Sequence, residues 1–98
     1  MKVKIRNFVH KGLKRLYEEA DPKGLPSGCV DKVWKMIVYL EAMGDVGELR
    51  SVPVWKAHRL TGSRKGDWSL HVTRNWRLTF WIDDDQQEIR DVGLEDYH

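Results

Sequence analysis

Between Trp68 and Ile82 the chain alternates apolar and polar residues almost without interruption. Trp68, Leu70 and Val72 alternate with Ser69, His71 and Thr73. After a turn at Arg74-Asn75, Trp76, Leu78, Phe80 and Ile82 alternate with Arg77, Thr79 and Trp81. Neighbouring side chains on a strand point to opposite faces, so this pattern predicts an antiparallel hairpin with one apolar face. Such a face has to be covered by a second layer before it is stable in water.

The residues upstream supply that layer. Val3 and Ile5 alternate with charge from Lys2 to Arg6, which reads as a short first strand. Phe8, Val9, Leu13, Leu16, Tyr17 and Ala20 then recur at helical spacing, and Asp21-Pro22-Lys23-Gly24 stops the helix. A second helix is predicted from about Val30 to Met43, with Val33, Trp34, Ile37 and Leu40 along its stripe, Ser27 as its cap and Gly44 at its end. A polar turn region follows through Gly47 to Pro53. Trp55 and Ala57 open the sheet region, with Leu60 a further candidate. Beyond the hairpin and a turn at Asp83 to Gln86, a last strand carries Ile89, Val92 and Leu94. The expected fold is therefore α+β: two N-terminal helices packed on one face of a mostly antiparallel sheet of four or five strands, in a single domain over residues 1–98.

Composition narrows the function classes. Hydrophobic residues make up 41% of the 98 residues, too many for a disordered tail. No stretch approaches the ~20 consecutive apolar residues of a membrane helix, and the start of the chain lacks the apolar block of an export signal. Cys29 is the only cysteine, so no intrachain disulfide forms, as expected in a reducing cytoplasm. In the loop Pro26-Ser27-Gly28-Cys29 it reads as a small, half-buried residue rather than a nucleophile. The four histidines (His10, His58, His71 and His98) are widely spread and show no helical pairing, so no zinc site or other metal cofactor is expected. Neither a glycine-rich phosphate loop nor a nucleophile-elbow serine is present.

The charge distribution says more than the net charge of +2. From Lys56 to Arg77, six basic residues (Lys56, Arg59, Arg64, Lys65, Arg74 and Arg77) face the single acid Asp67; from Asp83 to Asp96, seven acids face Arg90 alone. The basic block is a candidate phosphate-facing surface, with Lys56, Arg59, Arg64, Lys65 and Arg74 as candidate RNA contacts. The plainer alternative is that these charges solvate one face of a sheet.

The residues left to carry chemistry are His58, Arg77, Asp96, Tyr97 and His98. Such a group suits cleavage of RNA by its own 2′-hydroxyl, which must lose a proton while phosphorane charge is stabilised and the leaving 5′-oxygen gains a proton. Histidine serves as acid or base near neutrality. Arginine presents planar donors to two phosphate oxygens. Tyrosine stacks or relays a proton, and aspartate orients a histidine or accepts the proton itself. Structural readings stand beside these: Arg77 pairing with Asp91 or Glu95, Tyr97 as a packing lid, and His58 as a surface residue. Trp81 is phased away from the core, exposed or available to stack on a base.

The run His58-Arg59-Leu60-Thr61-Gly62-Ser63-Arg64-Lys65-Gly66-Asp67-Trp68-Ser69-Leu70 resembles the corresponding segment of the HigB toxins of the RelE/ParE superfamily. So do Asn75-Trp76-Arg77-Leu78-Thr79-Phe80, the terminal Asp96-Tyr97-His98, and Phe8 to Tyr17 as that family's first helix. The resemblance implies metal-independent endonucleolytic cleavage of mRNA in the ribosomal A site. It implies neutralisation by a HigA-type helix-turn-helix antitoxin, with contact to operator DNA only through that antitoxin and none to membranes. It places His58, Arg77, Asp96, Tyr97 and His98 in the active site. One departure is Thr61, where the family often has a lysine; Arg59, Arg64 and Lys65 are candidates to replace its charge. The rivals are a ParE-like poison of DNA gyrase, a non-catalytic nucleic-acid-binding module, and a degenerate toxin that still binds its antitoxin.

Overall fold

The computed structural model describes residues 3–96. Five strands form one sheet in the order β1-β5-β4-β3-β2: β1 (Lys4–Ile5), β2 (His58–Arg59), β3 (Asp67–His71), β4 (Trp76–Asp83) and β5 (Glu88–Asp96). The pairs β2–β3, β3–β4 and β4–β5 are antiparallel, and β1 runs parallel to β5. Two helices, α1 (Lys11–Glu19) and α2 (Val30–Ala42), precede β2. The expected α+β architecture is present, and the hairpin alternation holds: Trp68, Leu70, Leu78, Phe80 and Ile82 are buried in one core with Leu13, Val33, Ile37 and Leu40 of the helices. Cutting one of these fully buried leucines to alanine costs about 2–5 kcal/mol.

Several boundaries differ from the sequence expectation, each for a physical reason. The first helix starts at Lys11 rather than Phe8, because the backbone before it is recruited by the sheet. Phe8 bridges Val92 in parallel, and the Val9 N–H donates to the Val92 carbonyl at 2.9 Å. His10 is the cap: its Nδ1 accepts from the N–H groups of Gly12 (3.1 Å) and Leu13 (3.3 Å). Ser27 does not cap α2; Cys29 holds that position, with no capping bond from its side chain. Cys29 is fully buried, and burial pushes its thiol pKa up.

The region from Gly47 to Pro53 is not a simple polar turn. It is a 3-10 turn over Val46–Ser51 closed by reciprocal Asp45 and Glu48 bonds, and it places Leu49 in the core. Trp55 and Ala57 do not begin a strand, and neither does Leu60. Trp55 ends a second 3-10 turn, Pro53–Trp55, Lys56 follows at φ 48°, and only His58 and Arg59 pair with β3.

The last strand changes phase partway. Thr79 pairs with Gly93 but Trp81 pairs with Arg90, so Asp91 and Val92 together oppose Phe80. Asp91 takes φ 54°, and Asn7 clasps it through Asn7 Nδ2 to Asp91 Oδ1 (2.9 Å) and Asp91 N to Asn7 Oδ1 (3.1 Å). This bulge lets Ile89, Val92 and Leu94 all be buried despite their uneven spacing.

Two predictions follow from the packing around α1. A Cβ built on Gly12 lies 2.2 Å from the Gly24 carbonyl oxygen, a backbone atom that cannot swing aside. Gly12→Ala is expected to destabilise the protein by about 3 kcal/mol in urea unfolding, through overpacking against fixed backbone. The His10 cap works only with Nδ1 unprotonated, and burial lowers the His10 pKa below its usual 6.5. Between that lowered pKa and 6.5 the unfolded chain binds more protons. The cap's contribution is therefore fully present above pH 6.5 and is lost as pH falls through the folded-state pKa. His10→Asn, which caps without titrating, is expected to remove this slope from the stability–pH curve.

Candidate active site

Directly opposed residues of antiparallel strands share a face, as do residues two apart on one strand. Across the sheet this produces two neighbouring rungs on the side away from the helices. One is His58–Ser69–Thr79–Gly93 and the other is His71–Arg77–Glu95. His58 and Arg77 thus come from distant positions in the chain to adjacent rungs of one face.

His58 is exposed on the sheet edge, and its Nδ1 lies 2.8 Å from the Lys56 carbonyl. A carbonyl only accepts, so this contact sets Nδ1 as the protonated nitrogen of the neutral ring and leaves Nε2 with a lone pair. Lys56 holds its carbonyl there from a left-handed conformation, φ 48°, that non-glycine residues rarely adopt.

Arg77 is half-buried, and its Nη2 lies 3.4 Å from Glu95 Oε1. Of the two acids that sequence offered as its partner, Glu95 is the one placed opposite it, whereas Asp91 is turned into the bulge with Asn7. Glu95 is shared. Arg64 donates to both of its oxygens, at 2.5 and 2.7 Å, and the Thr79 hydroxyl donates to Oε2 at 2.5 Å. Arg64 also donates to Asp67 Oδ2 at 3.0 and 3.1 Å. The Arg64 guanidinium, then the Thr79 hydroxyl and the Arg77 charge, hold the Glu95 pKa down at about 2 against its partial burial. The same pairing raises the Arg64 pKa.

The other sequence candidates sit elsewhere. Asp96 pairs in register with Trp76, which puts it on the face of Leu78 and Leu94 rather than that of Arg77. Tyr97 and His98 lie outside the described residues. Arg59 pairs with Trp68, and its guanidinium sits 5.5 Å from that ring's centroid, with Arg50 at 5.4 Å. Arg59 and Lys65 also line a shallow cleft with Leu60, Thr61, Gly62 and Gly66. Lys56, Lys65 and Arg74 are exposed, Arg74 in the β3–β4 turn three residues from both His71 and Arg77. Trp81 points away from the core as its phase predicts, with the Arg90 guanidinium 5.2 Å from its ring centroid. Among the described residues, no group of three or more His, Cys, Asp or Glu side chains is placed to hold a metal ion. No described helix is long and apolar enough to cross a membrane.

The basic block is therefore partly compensated, with Arg64 and Arg77 meeting the acid of β5. The alternation placed Ser69 and Thr79 on this outward face with His71 and Arg77, as the register shows. It did not foresee that both are buried there; among the described residues the Ser69 hydroxyl has no hydrogen-bond partner. The Arg64–Glu95 pair left no local signal, because it depends on how the 3-10 turn Gly62–Arg64 folds back over the sheet.

A pH test follows from Glu95. Its folded pKa lies below the ordinary 4.5, so its contribution is present above pH 4.5 and is lost as pH falls toward 2. With the side chain about a third exposed, solvent screening limits that contribution to ~1–2 kcal/mol. Glu95→Gln is expected to lose this amount at pH 7 in denaturant titrations and to show a flatter acid limb.

Comparison with known proteins agrees with the architecture. The model of the RelE-like toxin of type II toxin-antitoxin system HigB matches residues 6–98. The Endoribonuclease HigB of Proteus vulgaris is 37% identical over 94 residues, 96% of this chain and 99% of that protein. Among solved structures, the YoeB/ParE toxin from Agrobacterium tumefaciens superposes with a TM-score of 0.58 at 16% identity, covering 100% of both chains. A chain of the toxin-antitoxin complex RelBE2 from Mycobacterium tuberculosis gives 0.52 at 17% identity, covering 98% of this chain and 99% of that one. With a family model spanning nearly all of its length and a relative at this identity, the chain belongs to the HigB-like, RelE-fold toxins of type II toxin–antitoxin systems.

Proposed function

We propose that this toxin is an endoribonuclease that cuts mRNA in the ribosomal A site without a metal ion, and so stops translation in the cytoplasm. The observation that carries this reading is the placement of His58 and Arg77 on adjacent rungs of one polar sheet face. The 37% identity to an endoribonuclease supports it.

In this scheme the 2′-oxygen attacks the neighbouring phosphorus, the bond to the 5′-oxygen breaks, and the products are a 2′,3′-cyclic phosphate and a 5′-hydroxyl. His58 Nε2, oriented by the Lys56 carbonyl, accepts the 2′-hydroxyl proton, a role for which Asp96, on the other face of the sheet from Arg77, is not placed. Arg77 binds the scissile phosphate and stabilises the charge that develops on it. Tyr97 orients the nucleotide or assists proton transfer. His98 protonates the leaving 5′-oxygen or supports Tyr97. Lys56, Arg59, Lys65 and Arg74 contact flanking phosphates, and the ribosome supplies much of the alignment. The partner that silences the toxin is a HigA-type helix-turn-helix antitoxin, through which alone the pair meets operator DNA.

Induced expression in growing cells, with new mRNA 5′ ends mapped, tests the reading. The wild type should arrest growth and create ends within reading frames. Arg77→Ala should lower the cleavage rate by about 10²-fold or more, as loss of a transition-state donor does. Arrest without new RNA ends would shift the assignment to a gyrase poison. Efficient cutting of naked mRNA by the purified chain would remove the ribosome dependence.

A further inference from the structure

Helix α2 turns one face to the sheet, and its outer face is not polar. Val33, Met36, Ile37 and Leu40 are buried beneath it. Trp34 (43% exposed) and Val38 (47%) stand on the outside with Ala42, four residues apart along one ridge. Val54, in the turn Pro53–Trp55, is 68% exposed. We infer that this face is the docking surface for the antitoxin, and that it takes an acid-bearing amphipathic helix of that partner. The inference rests on the reading of the partner as a HigA-type antitoxin.

Two hollows meet at Lys35. Trp34, Lys35, Val38, Tyr39 and Ala42 line one. The other lies between Lys32, Lys35 and Met36 of α2 and Val54, Trp55 and Val72 across from them. Tyr39 and Trp55 join the two edge-on, with ring centroids 5.1 Å apart. Contiguous exposed apolar surface with a polar rim marks a protein contact, and a helix ridge of this spacing suits the regularly spaced anchors of an amphipathic helix. The second hollow extends to His71, the register partner of Arg77, so a segment seated there comes up to the margin of the candidate active site.

Charge specifies the occupant. Lys32 and Lys35 are exposed, and neither belongs to an ion pair among the described residues. Of the two acids of α2, Glu41 already accepts from the Tyr17 hydroxyl at 2.5 Å. RNA would satisfy the lysines and leave Trp34, Val38 and Val54 in water. A second copy of this chain would bring the same lysines and, with Glu41 held by Tyr17, only Asp31 from its α2 to meet them. A partner helix with apolar anchors and flanking carboxylates satisfies both halves of the surface.

Titration calorimetry of the purified chain with the purified HigA-type antitoxin of its own operon, at low and high salt, tests the assignment. Val38→Asp is expected to weaken binding about 30-fold or more, as loss of an interface anchor does. Lys35→Glu should weaken it about tenfold and flatten its salt dependence. Both positions are exposed, and circular dichroism checks that each variant is folded. Val9→Asp, at an exposed valine that lines neither hollow, should bind as the wild type does. Wild-type affinity in both Val38→Asp and Lys35→Glu overturns the docking surface and leaves the antitoxin reading in place. Failure of the wild type to bind the antitoxin removes that reading, and the surface with it. Self-association of the free chain in sedimentation, abolished by Val38→Asp, gives the face to a second copy and also overturns the proposal.

Discussion

The sheet has to serve two incompatible environments, and β5 is where the conflict is settled. Its outer neighbours are β1 on one side and β4 on the other, one parallel and one antiparallel. Ile89, Val92 and Leu94 must all enter the core, yet Gly93 and Glu95 must emerge on the polar face. A regular strand cannot do this, because residues three apart lie on opposite sides. The Asp91 bulge supplies the extra residue, and the N-terminal segment holds the bulge in shape through Asn7. Without that phase change Glu95 would turn toward the helices. Arg77 and Arg64 would then share the polar face with no carboxylate between them, a repulsive pair partly removed from water.

Much of this was legible in the sequence. The alternation from Trp68 to Ile82 identified the hairpin and put Arg77 and Thr79 on one side of it, and the helical stripes identified the covering layer. What stayed hidden depended on contacts between distant segments. Phe8 and Val9 carry helical spacing, but their backbone is taken by Val92, so the helix waits for His10. The irregular interval between Ile89 and Val92 was a visible sign of a bulge, although only Asn7 explains its position. The core face was read correctly, but the burial of Ser69 and Thr79 on the other face was not; for Thr79 the contacts come from Gly93 and Glu95 of β5, far along the chain. The turn that carries Arg64 likewise has no periodicity to betray where its guanidinium ends up.

The candidate site is built from few parts. A histidine oriented by a main-chain carbonyl needs no carboxylate to set its tautomer, and Lys56 supplies that carbonyl from a strained conformation. The cations divide into two groups. Arg64 and Arg77 lie partly buried around one carboxylate, in an environment where charge interactions are stronger than in open solvent. Lys56, Lys65 and Arg74 remain at the surface, where salt screens them. Under the proposed function, recognition of a polyanion and chemistry would fall at different depths of the same basic block.

The strand that carries His58 is also an open edge of the sheet. It has two paired residues, with the left-handed Lys56 shortly before it and the 3-10 turn Gly62–Arg64 soon after. Exposed edges ordinarily invite another chain to zip on through its backbone. Here an incoming strand would find two rungs and then a chain that curls away. This margin of the molecule is closed to templated strand addition, and any macromolecule that settles against it has to recognise side chains rather than extend the sheet.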